Sequence, residues 1–152
     1  MIYPDSSFLV ARRVMRDTHH KAAIDYYEAE QDETWLWSPW HRVEVFNTIR
    51  QLTRHPETKF RLLGPEAKSL IHLIEADVRV GYLTHMEADW RDVLRAANDI
   101  SIAHGFGMAC RSADLLHVAY AAELCATKFV SFDGNQLDLA KAAGMQALMP
   151  AY

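Results

Sequence analysis

Four acidic residues stand at positions where a folded α/β domain gains little stability from a carboxylate. Asp5 and Asp133 each follow a short apolar run that is typical of a strand, and Glu44 and Asp114 lie near the starts of two apolar helices. Carboxylates that are brought together repel one another and resist losing water. Their oxygens can, however, hold a hard divalent cation such as Mg²⁺ or Mn²⁺. The pattern therefore predicts metal-assisted phosphoryl chemistry.

Each acid also has a simpler explanation when it is considered alone. Glu44 can lie on a solvated helix face, and Asp133 begins an Asp-Gly pair that is a strong turn signal. Asp5 can cap the helix that follows it, and Asp114 can stabilise the first turn of its own helix. Ser112 can already serve as that helix's cap, which weakens the simple explanation for Asp114. The functional hypothesis rests on the four acids together.

Alternating strands and helices determine where these acids are placed. We predict strands at Ile2–Pro4, Thr34–Trp37, Tyr82–Thr84, Lys128–Phe132 and Met145–Met149. We predict helices at Ser7–Arg16, Lys21–Glu30, Pro39–Arg54, Gly64–Val80, Met86–His104, Ser112–Thr127 and Gly134–Ala143, with Gly105 as a left-handed cap. This order favours a three-layer α/β/α fold with a mainly parallel central sheet. Such sheets bind ligands outside the carboxyl ends of their strands, so Asp5 and Asp133 should share one edge.

The two helical acids differ in their surroundings. The helix from Pro39 carries a polar stripe of His41, Glu44, Thr48 and Gln51. The helix after Asp114 is apolar almost all round, so it should be largely buried. An acid in register with buried small residues needs a partner.

Composition indicates one globular domain over residues 1–152. Half of the residues are hydrophobic and 24% are charged. We expect no membrane span and no signal peptide, and we interpret the two cysteines as buried free thiols, which together favour a cytoplasmic protein. The net charge is −4, but setting the four candidate ligands aside leaves 16 acidic residues against 16 lysines and arginines. Net acidity is therefore no argument against a nucleic-acid partner.

Several segments, in this order and spacing, resemble the PIN-domain family of metal-dependent nucleases, which includes the VapC toxins of bacterial toxin–antitoxin pairs. The segments are Ile2-Tyr3-Pro4-Asp5-Ser6-Ser7, Ser38-Pro39 with Glu44, Asp114-Leu115-Leu116-His117-Val118-Ala119-Tyr120-Ala121, Phe129-Val130-Ser131-Phe132-Asp133 and Leu139-Ala140-Lys141-Ala142-Ala143-Gly144-Met145. The resemblance covers nearly the whole chain, and the segments around Asp114 and Asp133 are its most specific parts.

The resemblance implies a metal-dependent endoribonuclease that hydrolyses RNA phosphodiester bonds. Its acidic cluster would map onto the catalytic, metal-binding carboxylates Asp5, Glu44, Asp114 and Asp133, which would hold Mg²⁺ or Mn²⁺. Ser6 and Ser131 match positions whose hydroxyls hold ligands or metal-bound water. A homodimer and a cognate antitoxin are further expectations from the resemblance.

The chain departs from the family pattern at three places. Pro4 precedes the first acid, where a strand residue is more usual. Many toxin members carry an asparagine at the position of Asp133 and an acid three residues later. Here that later residue is Gln136, so Asp133 itself must supply the fourth carboxylate. The loop Gly105–Cys110 matches no motif of the family.

Other polar residues divide between RNA binding and structure. Arg12, Arg16, Arg50 and Arg54 form two pairs with a spacing of four on helices that bear or follow a candidate acid, and they are candidates for RNA-phosphate contacts. The eight histidines are scattered and form no His-Glu-x-x-His arrangement, which excludes a zinc site of that kind. We interpret His117 as a hydrogen-bonded structural histidine.

Two alternatives to the ribonuclease stay open at this point. A non-catalytic RNA- or partner-binding PIN-like module would keep the fold and bind metal poorly. A DNA nuclease of the same architecture is the second alternative, because no basic arm identifies the substrate.

Overall fold

The computed structural model describes residues 1–151. In chain order the elements are β1 (Ile2–Pro4), α1 (Ser6–Arg13), α2 (His20–Ala29), β2 (Leu36–Trp37), α3 (Pro39–Leu52), α4 (Gly64–Val80), β3 (Thr84–His85), α5 (Trp90–His104), α6 (Ser112–Glu123), β4 (Lys128–Val130), α7 (Gly134–Ala142) and β5 (Gln146–Leu148). Every predicted strand and helix has a counterpart, and most differences are of a few residues at the ends.

The strands form a parallel sheet in two hydrogen-bonded parts. One part has the order β1-β4-β5, and the other pairs β2 with β3. A parallel bridge between Ile2 and Trp35 joins them, because the Ile2 N–H donates to the Thr34 carbonyl at 2.8 Å. The combined order is β3-β2-β1-β4-β5, with all carboxyl ends at the same edge.

Side chains that alternate along the strands divide the core between the two faces of the sheet. Ile2, Trp37 and Val130 belong to one apolar cluster with residues of α1 to α4. Tyr3 and Phe129 belong to the other, with residues of α5, α6 and α7. The sheet is thus covered by helices on both sides, and the predicted three-layer α/β/α fold is confirmed.

Three predicted helix ends are wrong for identifiable reasons. α1 ends early because Val14 takes an extended conformation, and α5 starts late because Asp89 caps it through the Arg91 N–H. α6 ends at Glu123, shortly before Cys125 turns to a positive φ of 55°. Local periodicity did not identify these breaks, since apolar residues continue on both sides of each.

The role predicted for Gly105 is also wrong. Its φ is −62°, within the right-handed helical region, and its N–H donates to the Ser101 carbonyl at 2.7 Å. A Cβ at this position would lie 2.6 Å from that carbonyl oxygen. Glycine is needed there for a close backbone approach, whereas the left-handed cap occurs after α4, at Gly81 with a φ of 89°.

Two further expectations concern membrane-spanning helices and the cysteines. Among residues 1–151, no helix combines the length and apolar composition that crossing a membrane requires. Both cysteines are free, as predicted, but Cys125 is exposed and Cys110 is half-buried. The expectation that both thiols are buried is wrong because Cys110 lies in the loop before α6 and Cys125 in the turn after it.

Candidate active site

A cavity of about 300 Å³ opens at the edge where β1 and β4 end, and all four candidate acids line it. Its lining also includes Ser6, Ser7, Val10, Asp17, His19, Thr48, Leu52, Arg111, His117 and Gln136. A larger cavity of about 630 Å³ lies between the Gly105–Cys110 loop and α7, but none of the four acids lines it. The fold therefore brings together residues that are more than one hundred positions apart in the chain.

Asp5 is the most deeply buried acid of the cavity, with 4% of its surface exposed. It follows β1 directly and caps α1, since Oδ1 accepts the Phe8 N–H at 2.9 Å and the Ser7 hydroxyl at 2.7 Å. Burial raises its pKa, and nearby His117 and the hydrogen bonds reduce that rise. The charged form of Asp5 therefore carries a cost in lost solvation.

The two predicted hydroxyl positions both touch the acids. Ser131 donates to Oδ2 of Asp5 at 2.8 Å and accepts the Asp133 N–H at 2.8 Å. Ser6 donates to Oε2 of Glu44 at 2.5 Å. Ser131 therefore connects the Asp5 carboxylate to the Asp133 backbone across the ends of β1 and β4.

Asp114 and Asp133 each cap a helix and share one arginine. Oδ2 of Asp114 accepts the Arg111 backbone N–H at 2.9 Å, and Oδ1 of Asp133 accepts the Asn135 N–H at 2.9 Å. The Arg111 guanidinium reaches Asp114 at 3.1 Å and Asp133 at 3.2 Å. Its hydrogen bond with Asp114 raises the pKa of Arg111. The expectation that Ser112 caps α6 is wrong, because Arg111 takes the cap position and Asp114 closes a capping box with it.

Glu44 lies in the second turn of α3 and is paired with His117 from α6. Nε2 of His117 donates to Oε2 of Glu44. Burial alone would raise the pKa of Glu44, but the hydrogen bonds from His117 and Ser6 and the nearby positive charge lower it. Glu44 is therefore held as a carboxylate. In the same predicted polar stripe, His41 is buried and its Nε2–H donates to the Pro4 carbonyl at 2.6 Å.

The four candidate arginines are placed elsewhere, since none of them lines the cavity. Arg12 is 8% exposed and shares the Asp77 carboxylate with Arg13, which leaves it little surface for a phosphate contact. Arg16 pairs with Glu66 at 3.0 Å on the surface. Arg50 lines a separate cavity between α3 and α4, and Arg54 is exposed beyond α3. Arg16 and Arg54 lie beyond the ends of α1 and α3, so neither predicted pair lies on a single helix.

Arg111, His117 and Asp17 are among the cavity residues that the sequence did not identify as parts of the site. Arg111 lies three residues before Asp114 and His117 three residues after it, so helical spacing placed both beside that acid. Asp17 lies in the turn after α1 and accepts the His19 N–H at 2.8 Å. No local pattern pointed to Asp17, because the early end of α1 brings it to the cavity.

The side-chain oxygens of the cavity are ligand atoms that a hard cation prefers, although they are not arranged as a finished metal site. Among the described residues, no group of three or more His, Cys, Asp or Glu side chains is positioned to hold a metal ion. Carboxylate and hydroxyl oxygens nevertheless dominate the polar lining, as Mg²⁺ and Mn²⁺ prefer. Burial also raises the pKa of Asp5, so a nearby cation would stabilise its charged form. By these criteria the residues fit such an ion.

A three-layer α/β/α domain with acids gathered at the carboxyl edge of a parallel sheet is the class of protein that this geometry defines. The family model described as PIN domain matches residues 2–142. The chain therefore belongs to the PIN-domain family, and the resemblance inferred from its motifs is confirmed. No curated protein matches the chain by sequence.

Solved structures agree on the fold at low sequence identity. VapC20 of Mycobacterium tuberculosis, described as a Sarcin-Ricin loop cleaving toxin, is 17% identical with a TM-score of 0.69, covering 99% of this chain and 100% of its own. VapBC2 of Rickettsia felis, bound to a DNA fragment from their promoter, is 13% identical with a TM-score of 0.67, covering 99% and 100%. FitAcB of Neisseria gonorrhoeae is 16% identical with a TM-score of 0.65, covering 97% and 96%.

Proposed function

We propose that this protein is a Mg²⁺- or Mn²⁺-dependent endoribonuclease whose cavity carboxylates hold the metal. The observation that carries the proposal is the convergence of Asp5, Glu44, Asp114 and Asp133 on one cavity in a chain of the PIN-domain family. Four separate segments deliver these acids, and a cluster of like charges has little structural value by itself. RNA as the substrate rests on the resemblance to the ribonuclease members of the family.

The chain's own residues have distinct roles in this proposal. A bound divalent ion would supply positive charge to the scissile phosphate and lower the pKa of a water molecule. Asp5, Glu44, Asp114 and Asp133 would hold that ion through their carboxylate oxygens. Arg111, the one lysine or arginine in the described lining of the cavity, is 76% exposed at its side chain and can turn to a phosphate oxygen.

A toxin role with a cognate antitoxin is the biological setting that we propose. Two of the structural neighbours, VapBC2 and FitAcB, support a two-protein system as the context of this fold. The homodimer and the single domain over residues 1–152 belong to the same proposal. Light scattering of the purified chain, alone and after co-expression with the product of an adjacent small gene, tests the assembly.

The test of the activity is cleavage of single-stranded or loop-containing RNA. Wild-type protein should cleave with Mg²⁺ or Mn²⁺, and EDTA should stop the reaction. Asp5→Asn and Asp114→Asn should each abolish cleavage while keeping a capping oxygen for the helix. Asp99→Asn, a change at an exposed acid on α5, should leave the rate unchanged. Cleavage that survives EDTA, or that tolerates Asp114→Asn, would refute the proposal.

One observation favours a second candidate, the non-catalytic RNA-binding module. Arg111 already occupies Asp114 and Asp133, so the cluster is partly neutralised by the protein itself. If the protein binds varied RNAs but cleaves none of them with either metal, this second function is the correct one.

A further inference from the structure

Behind the cavity, buried side chains form a continuous hydrogen-bonded chain that ends on Glu44. The chain runs from His117 Nδ1 to the Tyr3 hydroxyl at 3.1 Å, then to the Ser38 hydroxyl at 3.2 Å, then to His41 Nδ1 at 3.0 Å. Tyr3, Ser38 and His41 have no exposed surface, and His117 has 1%. Polar groups buried in a core are costly unless each of them has a hydrogen-bond partner.

The acceptors at the two ends fix two ring hydrogens of this chain. A carbonyl oxygen only accepts, so His41 carries a hydrogen on Nε2 and donates it to Pro4. The Ser38 N–H at 2.8 Å then makes Nδ1 of His41 an acceptor. At the other end, the Glu44 carboxylate only accepts, so His117 carries a hydrogen on Nε2.

Tyr3 holds the His117 ring from behind. Its hydroxyl lies between His117 and Ser38, and its own ring is packed 4.4 Å from the His41 ring and 5.6 Å from the Phe129 ring, measured between centroids. The imidazole of His117 is therefore fixed by hydrogen bonds at both nitrogens and by core packing around its partner.

The bonds that reach Glu44 use only one of its oxygens. His117 and Ser6 both donate to Oε2, and among the described contacts Oε1 accepts none. An orientation fixed through Oε2 leaves Oε1 free for a ligand in the cavity that Glu44 lines.

We propose that His117, held in place by Tyr3, is a positioning residue that orients the Glu44 carboxylate so that Oε1 faces the bound metal ion. The inference rests on the proposed function, because it assumes that Glu44 is a metal ligand. Partners that orient a metal-binding side chain in this way contribute about 10- to 100-fold to metal affinity.

A pair of substitutions separates positioning from a merely structural role. In His117→Gln the amide can take the place of Nε2 and still reach Glu44. In His117→Asn the amide takes the place of Nδ1, which keeps Tyr3 and loses Glu44. We expect about 10- to 100-fold weaker Mn²⁺ binding in His117→Asn and a smaller loss in His117→Gln, measured by calorimetry on folded protein.

Tyr3→Phe removes a single oxygen, and it tests the same positioning role if either histidine variant fails to fold. It should weaken Mn²⁺ binding and shift the ¹⁵N signal of His117 Nδ1 in a histidine ring spectrum. The matched control is Tyr120→Phe on α6, whose buried hydroxyl has no hydrogen-bond partner in the described structure. Tyr120→Phe should change neither the Mn²⁺ affinity nor the His117 signals.

The outcomes distinguish this inference from the proposed activity, because no readout involves RNA. Equal Mn²⁺ affinities for His117→Gln and His117→Asn, or an unchanged His117 spectrum in Tyr3→Phe, would overturn the positioning role. Mn²⁺ affinities in the expected order, together with no cleavage of any RNA, would support positioning and refute the proposed ribonuclease.

Discussion

If the cavity acids hold a metal ion as proposed, Arg111 would compete with it for two carboxylates, and removing Arg111 should strengthen metal binding. The guanidinium contacts Asp114 and Asp133, and Arg111→Ala would delete both ion pairs. The backbone N–H of residue 111 would still donate to Asp114, so the capping box keeps its main-chain half. The change therefore alters charge in the cavity more than the fold of α6.

The size of the effect follows from the exposure of the pair. The Arg111 side chain is 76% exposed, whereas Asp114 and Asp133 are 8% and 32% exposed. Solvent screening places each pair within about 0.2–1 kcal/mol. Losing two such competitors should raise the Mn²⁺ affinity by about 2- to 30-fold, since 1.4 kcal/mol corresponds to a factor of ten.

Calorimetric titration of metal-free protein with Mn²⁺ measures this change. Arg95→Ala is the matched control, because it removes an exposed ion pair with Asp92 on α5, away from the cavity. A parallel RNA-binding titration should show weaker binding for Arg111→Ala, as expected for a lost phosphate contact. Unchanged or weaker Mn²⁺ binding in Arg111→Ala would refute the competition between arginine and metal.

Three further predictions concern stability. Asp77→Ala should lower the free energy of unfolding in urea by about 3–5 kcal/mol, because two largely buried guanidiniums lose their shared partner. Glu75→Ala on the same helix removes an exposed ion pair and should cost about 1 kcal/mol or less. Similar costs for the two variants would contradict this prediction. Burial raises the pKa of Asp5 in the folded protein. Protonated Asp5 therefore stabilises the fold fully below the pKa of about 4 that it has in the unfolded chain. This stabilisation is lost as the pH rises through the pKa of Asp5 in the folded protein. In EDTA, the melting temperature of Asp5→Asn should therefore rise relative to that of wild type between pH 4 and pH 7. A difference between the two melting temperatures that does not change with pH would count against this prediction. Asp133→Ala should lose about 1 kcal/mol through its helix cap, and Asp133→Asn should lose less; equal losses would show that the cap is unimportant.

The edge that carries the site was predictable from the sequence because it depends on strand direction alone. Two short apolar runs that end in an aspartate, within an alternating chain, require those aspartates to share the carboxyl edge of a parallel sheet. Asp5 and Asp133 satisfy this, and Ser131 connects them directly. Ser38-Pro39 likewise marks the true start of α3, with the Ser38 hydroxyl accepting the His41 N–H.

The partners of the charged residues were not predictable, because they depend on contacts between distant segments. Arg12 was offered as a phosphate contact, yet it meets Asp77, which lies 65 residues later on α4. His117 was interpreted as a structural histidine, and its hydrogen bond to Glu44 spans 73 residues. Helical spacing identifies neighbours on one helix, but it does not identify the opposing helix.

Arg111 is an intermediate case, since a local signal existed. An acid three residues after the last non-helical residue is the second half of a capping box, and it places that residue's side chain beside the acid. Ser112 was considered as the cap instead, so Arg111 was not recognised as a neighbour of Asp114. The Gly105–Cys110 loop, by contrast, lines a separate cavity with α7, and its residues gave no recognisable pattern beforehand.

The simple and the functional explanations of the acids are compatible, because the two roles use different oxygens. Three of the four acids lie at helix N-termini, where backbone N–H groups and the helix dipole favour a negative charge. Oδ1 of Asp5 and Oδ1 of Asp133 accept backbone N–H groups, whereas their Oδ2 atoms accept only from the side chains of Ser131 and Arg111. Backbone donors are fixed by the fold, but a hydroxyl can rotate and an exposed guanidinium can move away. If the acids bind a cation as proposed, that cation would displace side-chain donors and leave the helix caps intact.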